Sequence, residues 1–226
     1  MPIAFAMGIS AALAMVFFFK VPMTVAVQQM FTSNDSFPLL AVPFFMLAGA
    51  LMESGGLSRR LVNFASSVVG FIYGGLAHVS IMASMFFAGI SGAAAADTAA
   101  VGTLMIPEMK KRGYDAGFSA AIQASAGSIG VIIPPSIPMV IYGVTASTSI
   151  GALFLGGILV GCLVGLSLML VVYLISRKRG YLPEGGISLS GILKTFREAL
   201  WALGMPFIIV GGIMSGVFTA TESAVV

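Results

Sequence analysis

The chain has 226 residues, of which 58% are apolar and only 8% are charged. A soluble domain carries about 25% charged residues, so this composition excludes a water-covered globular surface and predicts an all-α, polytopic membrane protein. The net charge of +3 does not indicate a nucleic-acid partner, because the basic residues stand in short clusters between apolar runs, as in cytoplasmic loops.

The first third of the chain reads as two membrane spans followed by an interfacial helix. Residues 2–30 are apolar enough to cross a bilayer once, although Lys20 interrupts them. Residues 37–53 form a second span, which at about 1.5 Å per residue crosses most of the ~30 Å hydrocarbon core. Residues 61–75 are only moderately apolar, which is typical of a helix lying at the membrane surface.

Three basic clusters set the predicted topology, because lysine and arginine accumulate in cytoplasmic loops. These clusters are residues 59–60, 110–112 and 177–179. The chain between the first two must cross an even number of times, yet residues 76–105 are too few for two full crossings of about 20 residues each. They therefore predict a re-entrant hairpin that enters from the cytoplasm and turns at 89–93.

Residues 117–150 are apolar but contain helix-breaking residues in "SAGSIGVIIPPSIPMVIYG" (125–143), including Pro134, Pro135 and Pro138. Proline removes a backbone donor and blocks a continuous helix. Irregular backbone at membrane depth must be buried in protein or line a polar cavity. Paired discontinuous segments of this kind point to the substrate and ion site of a secondary transporter.

The last part of the chain contains one clean span and a second apolar segment. Residues 151–176 span the bilayer, residues 180–200 predict a loop followed by a short amphipathic helix, and residues 201–218 are apolar again. Glycine recurs every four residues in the clean span, which predicts a helix-packing face. Those glycines are Gly157, Gly161 and Gly165.

Asp97 is the most informative single residue, because it is the only acid between Glu53 and Glu108 and follows the predicted hairpin tip. An intramembrane carboxylate is costly and marks a functional site by default. Three roles stay open: an ion ligand, a partner of the helix dipole, or a structural hydrogen-bond acceptor, such as a capping carboxylate that only shapes the tip.

Oxygen ligands for a hard cation such as sodium are available on both sides of this region. Carbonyl groups and hydroxyls can supply them without further acids. The candidates are Ser91, Gly127, Ser128 and Ser136.

Other chemistries find no support in the sequence. The single histidine, His78, and the single cysteine, Cys162, predict neither a transition-metal site nor an intramolecular disulfide; His78 reads as a hydrogen-bonded interfacial residue. There is no phosphate-binding loop with its lysine and no nucleophile–base pair. We therefore expect neither an ATPase, nor an enzyme, nor a bound cofactor.

Three long motifs and a short terminal one resemble a known family. They are "DSFPLLAVPFFMLAGALMESGGLSRRLVNFA" (35–65), "GISGAAAADTAAVGTLMIPEMKKRGYD" (89–115), "ASAGSIGVIIPPSIPMVIYG" (124–143) and "GVFTATESAVV" (216–226). Together they resemble the large membrane subunit (M, or DctM-type) of tripartite ATP-independent periplasmic (TRAP) transporters, over nearly the whole chain.

The resemblance implies a permease in the cytoplasmic (inner) membrane of a bacterium or archaeon. It would import an organic acid, of the C4-dicarboxylate, other carboxylate or sialic acid class, with Na⁺ as coupling ion. A periplasmic substrate-binding protein (P) and a small four-helix permease subunit (Q) would be its partners. The implied fold is an inverted-repeat elevator of the ion transporter superfamily, of which this chain would be the N-terminal half.

The resemblance also implies a division of the chain. Residues 1–75 would form scaffold helices and an interfacial arm. Residues 76–150 would form the transport-domain elements: the hairpin at 76–105, a cytoplasmic link at 106–116 and the broken helix at 117–150. Residues 151–200 would form a transmembrane helix and a cytoplasmic amphipathic linker, and residues 201–226 the first helix of the second repeat, which is truncated here.

Carried over by motif, a sodium site would lie between the hairpin tip and the helix break. Its members would be Ser91, Gly92 and Asp97 on one side and Gly127, Ser128, Ile133 and Pro134 on the other, with Ala93, Thr98 and Ser136 near the substrate. The chain departs from the family at Ala93, where serine is frequent, and at Ala126-Gly127-Ser128, where Gly-Gly-Thr is frequent.

Family members extend further at both ends, so we expect this chain to lack the second hairpin and broken helix and not to transport alone. Two other interpretations remain open: a single-polypeptide sodium/anion symporter of related architecture, and a non-transporting membrane scaffold. Residue patterns do not name the substrate or the number of sodium ions.

Overall fold

A computed structural model describes residues 3–19, 22–183, 186 and 188–225, and every regular element in that part of the chain is helical. The helices are α1 (Ile3–Ala14), continued by a π-helical turn (Met15–Phe19), α2 (Met23–Asn34), α3 (Ala41–Ser54), α4 (Leu57–Val69), α5 (Gly75–Ser91), α6 (Ala94–Lys111), α7 (Ala116–Gly127), α8 (Ile137–Thr145), α9 (Ile150–Arg179), α10 (Leu189–Met214) and α11 (Ala220–Val225). Short 3₁₀ turns precede α3 (Phe37–Leu40) and follow α7 (Ser128–Val131).

Within the described residues, three helical stretches are long and apolar enough to cross a membrane: Phe37–Ser54, Ile150–Arg179 and Leu189–Met214. The first two confirm the spans predicted at 37–53 and 151–176. Along α9 the lipid-facing leucines, such as Leu159 and Leu170, are more than half exposed, as expected where the solvent is hydrocarbon. The described part of the chain is thus all-helical, and its long apolar helices are those expected of a multi-pass membrane protein.

The single span predicted over residues 2–30 is wrong in its continuity. One helical stretch ends at Phe19 and α2 begins at Met23, with Pro22 as its N-cap residue. Proline cannot donate to the preceding turn, so the helix restarts there. Lys20, which the sequence marked as the interruption, lies outside the described residues.

Helix α4 has the amphipathic pattern expected of the predicted interfacial segment. Its buried residues include Leu61, Ala65 and Val69, spaced four apart, while Arg60 on the other side is exposed. One stripe of a helix therefore faces the protein and the opposite side carries the charge. The helix begins earlier than predicted and ends at Val69, followed by a turn to α5.

Helices α5 and α6 form a hairpin, and the chain reverses at Gly92 and Ala93, inside the segment 89–93 predicted to turn. Gly92 has a φ of +64°, a conformation that glycine adopts without the Cβ penalty of other residues. Nearly all of α5 is buried, and it lies at the centre of the main apolar core with residues such as Leu61, Val101 and Ile129 around it.

The predicted broken helix is present as α7, a 3₁₀ turn, a non-helical stretch at 132–136 and α8. Pro134 and Pro135 occupy the non-helical stretch, whereas Pro138 lies in the first turn of α8. The first turn tolerates proline because its N–H groups have no helical partner.

Helix α10 differs from the sequence prediction, which placed an amphipathic helix before residue 200 and a separate apolar segment from 201. The two form one helix, Leu189–Met214, with Pro206 inside it. The junction reads "EALWALGM" (198–205), and its alanines, leucines and glutamate are strong helix formers that continue the helix past residue 200. The proposed domain limit at 200 therefore falls inside a helix.

The glycines of α9 form the predicted packing face. The structure shows that this face contacts the hairpin and the helix break. A Cβ at Gly157 would collide with Ile132 O, one at Gly161 with Ile133, and one at Gly165 with Met85. Glycine at these positions lets α9 approach the break closely.

Candidate functional site

The hairpin tip and the helix break, predicted separately, are in direct contact. The Ile137 N–H donates to the carbonyl oxygen of Gly92 over 3.2 Å. A Cβ at Gly92 would lie 2.5 Å from Pro135 O, so this approach requires glycine as much as the turn does. The tertiary structure thus joins the two discontinuous segments through their backbones.

Asp97 lies in the first turn of α6 and is fully buried. Its Oδ1 accepts a hydrogen bond from the Ser91 hydroxyl, which also accepts from the Ala93 N–H at 3.1 Å. Its Oδ2 is buried and has no hydrogen-bond partner among the described residues. A buried carboxylate oxygen without a partner is unfavourable unless a cation or a proton compensates it.

Of the three roles left open for Asp97, the structure shows that of a structural hydrogen-bond acceptor, because Oδ1 accepts from Ser91. The N-cap residue of α6 is Ala93, and no side chain caps that helix, so the capping role is not observed. The carboxylate still accepts from Ser91 and lies at the positive end of α6. No contact among the described residues compensates the burial of the second carboxylate oxygen, Oδ2.

The first half of the broken helix faces α6 with glycines. Gly127 packs against Thr98, because a Cβ there would collide with Thr98 Oγ1. Thr98 itself donates to Ala94 O at 2.7 Å. The backbone of α7 therefore lies directly against the residue that follows Asp97.

Ser128 does not present its hydroxyl to this junction. It is exposed, and its Oγ donates to Ser125 O at 2.7 Å. Its contribution to a site would have to come from the backbone.

The side chains of Ile133 and Pro134 make apolar contacts with other helices. Ile133 packs on Gly161 of α9, and both residues line an apolar cavity of about 450 Å³ between α5, α9 and α10. For these two predicted residues, too, only backbone groups are available to an ion.

Ser136 is fully buried and lies at the end of the non-helical stretch, directly before α8. Its hydroxyl donates to Val131 O at 2.7 Å and accepts from the Met139 N–H at 3.4 Å. It caps α8 and fixes the non-helical stretch, which is a structural use of a hydroxyl that the sequence placed near the substrate.

No group of three or more histidine, cysteine, aspartate or glutamate residues suited to a metal ion occurs in the described part of the chain. His78 is hydrogen-bonded as predicted, but it is buried rather than interfacial. Its ring nitrogens lie 3.1 Å from Gly74 O and 3.1 Å from Met169 O, so it ties the start of α5 to α9.

The sequence was compared with known families and with curated proteins. Residues 1–226 match the family described as tripartite ATP-independent periplasmic transporter, DctM component. The chain belongs to the DctM family.

Relatives of this DctM-family chain carry names that specify different organic anions. It is 50% identical over 99% of its length to the isethionate TRAP transporter permease protein DctMQ of Oleidesulfovibrio alaskensis, covering 35% of that protein. It is 45% identical over its whole length to the sialic acid TRAP transporter large permease protein SiaM of Vibrio cholerae, covering 53%. It is 43% identical over 97% of its length to the C4-dicarboxylate TRAP transporter large permease protein DctM of Pseudomonas aeruginosa, covering 52%.

Two conclusions follow for the chain itself. DctM-family proteins are transporter permeases rather than enzymes, which agrees with the lack of a catalytic constellation in the sequence. The chain spans about half the length of the large permease relatives it matches, and a smaller share of DctMQ.

Sequence reasoning missed two residues of this DctM-family chain, one at the junction and one beside it. Gly130 lies against Asp97, since a Cβ there would collide with Oδ2. Gln123 is buried and hydrogen-bonded to α5 and α6. A long polar side chain between alanines in "AAIQASAG" (120–127) was the available signal, because a polar residue in an apolar helix needs a partner.

Proposed function

We propose that this chain forms part of the membrane permease of a sodium-coupled, binding-protein-dependent importer of an organic acid. The observation that carries the proposal is the buried Asp97 carboxylate at the contact between hairpin tip and helix break, whose Oδ2 has no hydrogen-bond partner in the described part of the chain. Relatives named for isethionate, sialic acid and C4-dicarboxylate support an organic anion as substrate.

The residues at the junction fit a monovalent hard cation. Asp97 would provide the charge and Ser91 a hydroxyl oxygen. The non-helical backbone around Gly92 and Pro134 and the C-terminal end of α7 at Gly127 would provide carbonyl groups, the ligand type that such cations prefer. A bound sodium ion would neutralise the carboxylate and offset its burial. Because its ligands lie on both segments, the bound ion would link the hairpin tip to the helix break.

The complete transporter would contain further parts beside this chain. The hairpin and broken helix would move as part of an elevator, with a second, inverted half completing the site. A small Q subunit would pack beside the scaffold helices, and a periplasmic binding protein would deliver the substrate. The membrane would be the bacterial or archaeal cytoplasmic membrane, with the basic clusters on the cytoplasmic side.

The test is uptake by proteoliposomes that contain a complete permease including this segment, the Q subunit and the binding protein. A radiolabelled organic acid is offered with an inward sodium gradient, and potassium replaces sodium in the matched control. We expect uptake only with sodium and the binding protein together. Uptake without the binding protein would favour the single-polypeptide symporter, and no uptake of a sulfonate, sialic acid or dicarboxylate would favour the non-transporting scaffold.

A further inference from the structure

Gln123 of α7 is the centre of a buried polar cluster that the proposed sodium site does not include. The residue is 1% exposed. Its Oε1 accepts from the Ser80 hydroxyl, and its Nε2 donates to Ser84 Oγ at 3.3 Å and to Thr98 O at 3.5 Å. The carboxamide therefore uses its acceptor and its donor group inside the protein.

The partners of Gln123 lie on both arms of the hairpin. Ser80 and Ser84 are fully buried on α5, one helical turn apart, and Thr98 is on α6. Gly102 of α6 leaves room for the side chain, since a Cβ there would lie 3.1 Å from Gln123 Cγ. One side chain thus fastens the first half of the broken helix to both arms.

The contacts of α7 and the turn that follows it form one stripe along α6. Gln123 binds the Thr98 carbonyl, Gly127 packs on the Thr98 side chain, and Gly130 packs on the Asp97 carboxylate. The spacing of four and then three residues keeps all three on one face. Because Thr98 directly follows Asp97, holding its carbonyl sets the rotation of the first turn of α6.

We infer that Gln123 is a positioning residue for Asp97. Its hydrogen bonds hold the start of α6 so that the carboxylate lies between Ser91 and Gly130 with Oδ2 free. It does not reach the junction itself and acts through Thr98. The effect on sodium binding rests on the proposed function, whereas the effect on the geometry of α6 does not.

The first experiment measures amide hydrogen exchange in sodium-free buffer, on a complete permease that contains this segment. In Gln123→Met the volume is nearly kept and the hydrogen bonds are lost. We expect exchange of the amides at 93–99 to accelerate about three- to tenfold, the range that loss of one buried hydrogen bond produces, because of the three bonds lost only the one to Thr98 O lies on α6. Gln28→Met makes the same change at an exposed position and should leave these amides unchanged.

A milder variant keeps the test informative if Gln123→Met does not fold. Ser84→Ala removes one acceptor of Nε2 and leaves the bonds to Ser80 and Thr98 in place. Because it removes one of the three bonds that orient the carboxamide on the Thr98 carbonyl, it should accelerate the same amides, by less than the methionine variant. Exchange at 93–99 that equals the wild type in the folded variants would overturn the inference.

The second experiment measures sodium binding through thermal stabilisation, which needs neither substrate nor transport. We expect the sodium concentration that gives half of the maximal shift in Tm to rise about three- to tenfold in Gln123→Met, with the maximal shift retained. Faster exchange with an unchanged sodium midpoint would contradict a positioning role at the ion site. Faster exchange in a protein whose wild type shows no sodium response would support the positioning of Asp97 and contradict the sodium coupling instead.

Discussion

At the scale of single residues, Asp97 concentrates the chemistry of the molecule. It is fully buried, it accepts from Ser91, and one of its oxygens has no partner among the described residues. Replacement by asparagine keeps the size and the acceptor for Ser91 but removes the charge that a cation would need.

We therefore expect Asp97→Asn to raise the sodium concentration for half-maximal uptake by about tenfold or more, as the loss of a charged ligand does. Uptake at several sodium concentrations in proteoliposomes measures this. Asp35→Asn, at an exposed position, is the matched control and should behave as the wild type. A sodium dependence that is unchanged in Asp97→Asn would contradict the assignment.

Gly130 gives an independent prediction, because it is the neighbour that leaves room for Oδ2. A Cβ at this position collides with the carboxylate and approaches Ala94 Cα to 3.1 Å. Gly130→Ala should lower the free energy of unfolding by about 1–3 kcal/mol, as overpacking does, and weaken sodium binding. Thermal unfolding with and without sodium measures both effects. Gly156→Ala, inside α9 where a Cβ meets nothing within 4 Å, should neither lower the free energy of unfolding nor weaken sodium binding, and equal behaviour of the two variants would refute the prediction.

At the scale of elements, the break between α7 and α8 is the feature on which the proposed site depends. Pro134 and Pro135 keep residues 132–136 out of a helix, and Ser136 then starts α8. Alanine in place of both prolines would restore both backbone N–H groups and remove the ring clashes that oppose a continuous helix.

The double variant Pro134→Ala/Pro135→Ala should therefore abolish transport while the protein is still expressed and inserted. Uptake normalised to the amount of permease in the vesicles measures this. Pro138→Ala is the control, because proline in the first turn of a helix is tolerated but not required, and it should keep most of the activity. Normal transport by the double variant would show that the prolines do not maintain the break.

At the scale of the whole molecule, the basic clusters and the membrane-crossing helices define an orientation. One basic cluster, residues 110–112, lies at the C-terminal end of α6. The loop between α8 and α9 lies at the N-terminal end of α9, opposite the basic C-terminal end of that helix at Arg177–Arg179. The first should face the cytoplasm and the second the periplasm.

Cysteine labelling tests this orientation in a background in which Cys162 is replaced by alanine. Thr148→Cys, in the exposed loop between α8 and α9, should react with a membrane-impermeant maleimide added to the periplasmic side. Lys111→Cys, at an exposed position at the end of α6, should react only after the membrane is opened. The reverse pattern would invert the topology.

Much of this architecture could be predicted from local patterns. The spans at 37–53 and 151–176 follow from apolar length, the turn at 89–93 from its small residues, and the break from its prolines. The family follows from the three long motifs. Asp97 is identifiable as a candidate because a single acid in an apolar region is conspicuous in any sequence.

Other features depend on contacts between residues distant in sequence. Ser128 resembles a ligand in the sequence, but its hydroxyl is exposed and bonded to its own helix. Gly130 and Gln123 gain their importance only because α7 and the turn after it pack on α6. The sequence also did not predict that the amphipathic segment and the apolar segment after it form one helix, α10. Composition does not mark where a helix rich in good helix formers ends.

The amino-acid sequence alone determined the membrane class, the discontinuous segments and the family of this protein, because these properties rest on local hydropathy, helix-breaking residues and motif. Only the tertiary structure decided that the Gly92 carbonyl meets the Ile137 N–H, that Asp97 Oδ2 has no partner, and that Gln123 holds both arms of the hairpin. The physical reason is that hydrogen bonding and burial at a site are properties of neighbours in space, and close packing of helices brings together residues that no local pattern relates.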